Sequence, residues 1–516
     1  MSSNHSADYD VIAVGAGFAG ISLSYHLREA GFNVKVFDRA SDVGGTWAWN
    51  KYPGAATDSE SYYYCLTFSK EVLQEWSWSK RYSGWEETQN YLKFVMDKFS
   101  LWPMFQLNTE VESAEFDNET GLWNVRTQGG ETHTAKYFVS AMGMISQPVL
   151  PNIAGQDRFN GPIFHSSRWP QGLGVAGKRV GIIGAGATTV QMLPEVAKTA
   201  AQVTVFQRTP NFVLPAMQKD MTPEWEKEIK DNYDEIIAKA RNHMFGMAFE
   251  QPPGRNAVDT PPEEVQRIFE EHWNGSFRWV FETFDDLLGS AEANQMASDF
   301  ITSKIAEKVD DPELVELLTP KGYPLFAKRP PLDHGYYEAY NRDNVSLVDL
   351  KADPIQSFSA DGVSTLSQDH AIDMLVLATG YDAVSGSMLH LNPRGRQGVP
   401  LQQKWAERFD NHLGITVAGF PNMFMIHGPG SPGVFFTMPL GAELQVQWVG
   451  ECIRHLDGNG HGTIETTPSA EKAWDEQIQR IANKTLYPRT NSWYLGANIP
   501  GKHRQFLGHL AGSQYF

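Results

Sequence analysis

Cysteine is nearly absent. Cys65 and Cys452 are the only two in 516 residues, far apart and in neither a C-x-x-C nor a metal-ligand spacing. A disulfide-stapled fold, a redox pair of the disulfide-reductase kind and a cysteine-ligated metal centre are thereby excluded, and free thiols in a reducing compartment are expected. Positive charge is also scarce: 43 Lys and Arg stand against 61 Asp and Glu, a formal net charge of −18 at pH 7. Such a field repels phosphate backbones and anionic lipid, so neither nucleic acid nor a membrane is expected as a partner. No apolar run reaches the roughly 18 residues that span a bilayer, and residues 1–8 lack the basic-then-apolar pattern of a secretory leader. Repeats and low-complexity tracts are missing too. What is present is 41% hydrophobic and 20% charged sequence in a chain long enough for about three domains, or two with large insertions. The expectation is a cytoplasmic protein with large cores, monomeric or weakly associating.

Residues 8–40 read as a strand–turn–helix–strand unit: an apolar run at 11–14, a glycine turn, a helix over 17–30 and a second strand at 34–37. Gly15, Gly17 and Gly20, with Phe18 and Ala19 between, form the G-x-G-x-x-G turn, and Asp38 closes the next strand 18 residues after Gly20. Glycines let a backbone approach a pyrophosphate, the helix N-terminus offers free N–H groups, and Asp38 can accept a ribose hydroxyl. FAD or NAD suits this unit. A second unit spans 178–210, with Gly184, Gly186, Ala187, Thr188 and Thr189 as its turn. Its third small position is Thr189 rather than glycine or alanine. At the end of its returning strand stand Arg208 and Thr209, where an acid for a free 2′-hydroxyl is missing. The planar fork of Arg208 suits a 2′-phosphate, which favours NADPH.

Between about 216 and 322 the sequence turns charged and helix-periodic. Thr260, Pro261, Pro262 and Glu263 read as a capping box, with Val265, Ile268, Phe269 and Trp273 on one apolar face, and Thr222-Pro223 and Asp311-Pro312 open further helices. Strand-like sequence resumes at 345–350 and 374–378. The fold class is therefore α/β: two Rossmann-like dinucleotide-binding domains with a helical insertion. The expected boundaries are 1–145 plus 385–516 for the FAD domain, 150–215 plus 328–384 for the NADP domain, and 216–327 for the insertion inside it.

Two longer strings point to a family. Residues 159–170 fit F-x-G-x-x-x-H-x-x-x-W-P through Phe159, Gly161, His165, Trp169 and Pro170, and residues 45–58 fit G-x-W-x4-Y-P-G-x3-D through Gly45, Trp47, Tyr52, Pro53, Gly54 and Asp58. Together they resemble the fingerprints of type I Baeyer–Villiger monooxygenases, class B flavoprotein monooxygenases. Ala378-Thr379-Gly380-Tyr381-Asp382 is similar to the flavoprotein segment between nucleotide domains, so the resemblance covers nearly the whole chain. Many relatives carry Tyr and Arg where this chain has Ala48 and Lys51, and the family pattern leads one to expect a further helix or so after residues 508–516.

Read from residues alone, His165 is a candidate ligand or base, but no second ligand stands at a suitable spacing, and a structural hinge is the better reading. The resemblance agrees, implying that Gly161, His165 and Trp169 take part in domain movement. The Lys328-Arg329 pair, by itself a solvated loop feature, is implied to be functional: Arg329 catalytic, Lys328 contacting NADP. Asp58, by itself a helix cap, is implied to orient Arg329. The resemblance further implies that Arg39, Gly45, Thr46, Trp47, Tyr52, Asp58 and Tyr64 belong to the flavin site. Phe435, Phe436 and Trp493 are similar to segments that approach substrate and cofactor. The implied activity consumes NADPH and O2, forms a C4a-peroxyflavin on FAD, and converts a ketone to an ester or lactone. A flavin monooxygenase acting on sulfur or nitrogen, and a flavoprotein that binds NADPH without oxygenating anything, are the alternatives. The Trp169-Pro170 ending argues against the first.

Overall fold

A computed structural model of the chain describes residues 7–512; the two ends read above for targeting and for family length, 1–6 and 513–516, lie outside them. The run YDVIAV forms β1 (Tyr9–Val14), whose last four residues are buried on both faces, as a strand inside a parallel sheet requires. Helix α1 (Phe18–Glu29) crosses over to β2 (Val34–Phe37), which pairs parallel with β1 in the register Val11↔Val34. The strands β3 (Phe105–Gln106), β4 (Val111–Phe116), β5 (Trp123–Thr127) and β6 (Thr132–Ser140) complete a sheet of order β3-β2-β1-β6-β5-β4. β6 runs parallel to β1, whereas β5 and β4 fold back antiparallel. Much later in the chain, the strand Met423–Met425 joins the same sheet beside β6. The helix Met438–Gly458 then packs Val446, Val449 and Ile453 with Leu23 and Leu27 of α1.

A second, all-parallel sheet has the order β10-β9-β8-β11-β7, built from β7 (Ile163–His165), β8 (Arg179–Ile183), β9 (Gln202–Gln207), β10 (Val345–Asp349) and β11 (Met374–Leu377). Helix α2 (Ala187–Val196) is the crossover between β8 and β9. Between β9 and β10 the chain leaves for a set of helices, including Pro223–Asp231, Pro262–His272, Ala291–Ala306 and Pro312–Leu318. The Thr222 hydroxyl accepts from Trp225 N and the Asp311 carboxylate from Glu313 N, each capping a helix that opens on proline.

The capping box read at Thr260 does not form. Its helix starts at Pro262 with Pro261 as the capping residue, and the Thr260 hydroxyl donates to Asn256 O at 2.7 Å instead. Two consecutive prolines push the helix start one residue on, out of the threonine's reach.

Two chain passages join the sheets and pair with each other. Val149 N donates to Gly380 O, Asp382 N to Gln147 O and Val384 N to Met144 O, each at 2.9 Å. No helix among the described residues is long and apolar enough to cross a membrane.

Candidate active site

The first glycine turn is built for close approach. Gly15 has φ +119°, and a Cβ there would run into the carbonyl oxygen of Ala141; a Cβ on Gly20 would strike Gly15 O. Gly17 and Gly45 stand back to back, so that a Cβ on Gly45 would lie 2.9 Å from Gly17 Cα. No side chain caps α1, which leaves the N–H groups of its first turn and the positive end of its dipole facing outward. This bare, side-chain-free cradle is the shape and charge that a dinucleotide pyrophosphate fits. Asp38 is occupied locally: its carboxylate accepts from Ala16 N at 2.6 Å and Ala40 N at 2.7 Å. Burial raises its pKa, and those two N–H groups and Arg39 pull it back. Arg39 itself donates to Ser146 O at 2.9 Å. Phe18 and Trp47 both meet the Tyr64 ring edge-on, at 5.4 and 5.8 Å, and Thr46 opens the short helix Thr46–Trp49 directly behind Gly45.

The second turn repeats the plan. A Cβ on Gly184 (φ +121°) would meet Ala378 O, Gly186 faces open space, and α2 has no side-chain cap. Thr189 is accommodated because its hydroxyl donates to Gly184 O at 2.8 Å, closing the turn on itself. Gly186 and Ala187 are exposed and Thr188 is half-buried. Arg208 and Thr209 follow β9, and β10 ends in register beside it (Asp349↔Gln207), with Leu350 N donating to Gln207 O at 2.7 Å. Arg208 and Lys351 therefore leave the ends of adjacent strands. Lys328 lies close by, 4.4 Å over the Tyr323 ring, and its pKa is lowered by burial, then by Arg208 and Lys351. Arg208, Lys328 and Lys351 thus lie near one another, and sequence reasoning missed Lys351 because strand pairing alone brings it there.

His165 ends β7, almost fully buried. Ser167 N donates to its Nδ1 at 3.2 Å, which leaves Nε2–H to donate to Gly380 O at 3.1 Å on the second chain passage. Burial lowers its pKa to about 4, so it is a neutral strut. Gly161 is a close-approach residue, since a Cβ would meet Asp373 O and the Phe159 ring. Trp169 donates to Leu173 O and meets Phe164 edge-on, while the Arg168 guanidinium lies 3.8 Å over Trp49 of the 45–58 string.

Gln191 was also missed by sequence reasoning. From α2 it accepts from Tyr52 Oη at 2.7 Å, donates to Ala56 O at 3.0 Å and reaches Asp58 Oδ1 at 3.4 Å. Asp58 keeps a partly exposed edge; desolvation raises its pKa, and Arg329, His334, Gln191 and Leu332 N–H lower it. Arg329 and Asp58 are electrostatic neighbours, not a salt bridge. The Arg329 guanidinium lies 5.0 Å over Phe277, and Asn211 donates to its carbonyl oxygen. The pocket candidates divide. Phe435 packs with Tyr487, Tyr494 and Phe506, whereas Phe436 packs with Ala240 and Gly246 of the insertion and with Leu440 of the helix Met438–Gly458. Trp493 is half-buried and its ring lies 4.3 Å from that of Tyr494, tilted by 48°. Among the described residues no group of three His, Cys, Asp or Glu could hold a metal ion.

Comparison with known proteins gives this geometry its context. Residues 9–249 match the family described as flavin-binding monooxygenase-like. The chain is 43% identical to phenazine N-monooxygenase PhzNO1 of Lysobacter antibioticus, over 99% of this chain and 94% of that one. It is 42% identical to a Baeyer–Villiger monooxygenase of Pseudooceanicola batsensis, over 98% and 93%. It superposes with a TM-score of 0.95 on the structure of cyclohexanone monooxygenase from Rhodococcus sp. Phi1 bound to NADP+, at 41% identity over 98% of this chain and 95% of that one. With identities above 40% along its whole length, two glycine cradles and both family strings in place, the chain belongs to the flavin-binding monooxygenase-like family, as a monooxygenase of the Baeyer–Villiger type.

Proposed function

We propose that the chain is an FAD- and NADPH-dependent Baeyer–Villiger monooxygenase that inserts one oxygen atom of O2 beside a ketone carbonyl. The balance is ketone, O2, NADPH and a proton giving ester or lactone, water and NADP+. FAD belongs in the first cradle and NADPH in the second, where the converging Arg208, Lys328 and Lys351 meet the 2′-phosphate. When bound, the two cofactors supply hydride transfer and oxygen activation.

The chain's own part is charge, position and dryness. Negative charge develops on oxygen during attack on the carbonyl, and Arg329, free of any salt bridge among the described residues and set against aromatic surface, is a preorganised cation for it. Asp58 adds a charge that biases the guanidinium without capturing it, and Gln191 fixes Asp58 relative to α2. The rings of Phe277, Phe326, Phe435 and Tyr494 exclude water from the Arg329 side. His165 ties β7 to the passage at Gly380 and acts as the hinge strut.

The observation that carries this reading is the uncaptured Arg329 cation lying within the field of Asp58, which the second family string brings into the same site. Ketone-dependent NADPH oxidation with a product one oxygen heavier tests it. Arg329→Ala is expected to lose about 10² to 10³ in kcat; retention of ester formation in that variant would refute the assignment. A second reading, oxygen transfer to a ring nitrogen by the same residues, is favoured by the 43% identity to an enzyme named for that reaction, and N-oxide formation without any ester would establish it.

A further inference from the structure

Around Arg329 the chain builds a continuous wall of aromatic rings, and one of them carries a hydroxyl with nothing to bond. From Phe277 under the guanidinium the rings run to Phe326 at 6.1 Å, Phe281 at 5.4 Å, Phe245 at 4.4 Å and Phe435 at 6.2 Å. Phe435 in turn meets Tyr487 at 5.1 Å. Tyr487 is 2% exposed, and its Oη has no hydrogen-bond partner among the described residues. Phenylalanine would fill the same space without burying an unsatisfied donor, which is a net cost to the fold. Two more buried oxygens without a partner among the described residues, Thr490 Oγ1 and Ser492 Oγ, stand on the same short segment. Burial raises the pKa of both Tyr487 and Tyr494, and the Arg329 charge acts on both in the opposite sense, so both lie within its electrostatic reach.

We propose that Tyr487 is a specificity-determining residue whose phenol donates a hydrogen bond to a second polar group of the substrate. It selects ring ketones that also carry a hydrogen-bond acceptor, such as a further carbonyl or an ester oxygen, over plain hydrocarbon ketones. The inference rests on the oxygen-insertion reading above. A site built to hydrogen-bond a substrate discriminates strongly against the analogue lacking that group, because its buried polar atom is then left unpaired.

The test compares cyclohexanone with cyclohexane-1,4-dione and a 4-oxocyclohexanecarboxylate ester, using the FAD-loaded enzyme and NADPH. The wild type is expected to favour the acceptor-bearing ketones by about tenfold in kcat/KM, the size of one good hydrogen bond. In Tyr487→Phe that ratio falls to about one, through KM rather than kcat, and calorimetric binding of the dione to the oxidised holoenzyme weakens by a similar factor. The Tm of the variant holds or rises, since no bond within the fold is lost. An unchanged ratio in Tyr487→Phe, or a Tm lowered because the hydroxyl is structural, overturns the proposal while leaving oxygen insertion intact. If no ketone gains oxygen in the wild type, the oxygen-insertion reading falls and Tyr487's role falls with it.

Discussion

The cation cluster beyond β9 makes a quantitative demand on cofactor choice. Arg208 is exposed and presents a planar fork; a charge-assisted, two-pronged bond to a phosphate contributes about 1.5–3 kcal/mol, or roughly 10- to 150-fold in affinity. Lys351, exposed in the turn after β10, offers a point charge in solvent, and two charges about 4 Å apart in water attract by about 1 kcal/mol, or roughly fivefold. Lys328 is half-buried and its ammonium is disfavoured by desolvation and by its two like neighbours, so a bound phosphate must restore its proton affinity. The sign follows. Above the lowered pKa Lys328 is neutral, and NADPH binding weakens on the alkaline side; removing Arg208 lifts one repulsion and moves that limb to higher pH. KM for NADPH and NADH, measured in wild type, Arg208→Ala, Lys328→Ala and Lys351→Ala from pH 7 to 10 at two ionic strengths, gives the answer. Arg208→Ala should lose most of the NADPH preference and much of its salt dependence, Lys351→Ala only a few-fold, with NADH little affected in either. An unchanged NADPH-to-NADH ratio in Arg208→Ala would refute the reasoning.

Two further variants probe the frame. His165→Gln gives up the Ser167 and Gly380 bonds of the imidazole at a cost of about 1–3 kcal/mol at pH 8. Because burial lowers the folded-state pKa to about 4, the unfolded chain binds more protons, and the wild-type histidine contributes fully above its ordinary pKa of 6.5 and progressively less as pH falls toward 4. Urea titrations should therefore show the gap between the two proteins closing from pH 8 to pH 5; a constant gap would mean that His165 is not held neutral. Glu60, 2% exposed, accepts from Arg81 Nε at 2.7 Å and Tyr62 Oη at 2.6 Å and lies 3.6 Å from Arg278 of the insertion. Glu60→Gln strips the charge that two enclosed guanidinium groups share and should cost about 3–5 kcal/mol in chemical denaturation; a loss under about 1 kcal/mol would show the cluster to be solvated.

What the sequence revealed was what spacing encodes locally. The turn around Gly15, Gly17 and Gly20, the proline starts at Thr222 and Asp311, and the strand at 179–183 each depend on neighbours within one unit. Thr189 read as a blemish because only the folded turn shows its hydroxyl closing on Gly184 O. Thr260 misled because a capping pattern needs the helix to begin where the threonine can reach it. Phe435 and Phe436 are adjacent in sequence yet serve different walls, and nothing in a single residue's type announces which. Lys351, Gln191 and Tyr487 escaped for a shared reason: each becomes meaningful only through a partner contributed by another element, across a strand register, an interdomain loop or a ring-to-ring contact.

Gln191 shows what that coupling does. It sits on the helix that opens at the second glycine turn, yet its amide is spent on the first domain's motif, accepting from Tyr52 and donating to Ala56 and Asp58. A shift of α2 away from the first cradle breaks these contacts together, at about 1 kcal/mol each. The His165–Gly380 bond and the paired passages also join the two sheets, and they do so close to the same motif: His165 meets the Tyr381 ring at 5.1 Å, and Tyr381 Oη donates to Asn50 Oδ1 at 2.7 Å. The two sets of contacts differ in kind: one is backbone pairing around a neutral imidazole, the other the side chain of one glutamine. Asp58 belongs to the second set, so the field it places on Arg329 depends on where α2 stands. The charge beside Arg329 is thereby tied to the position of α2, without any direct bond between Asp58 and Arg329.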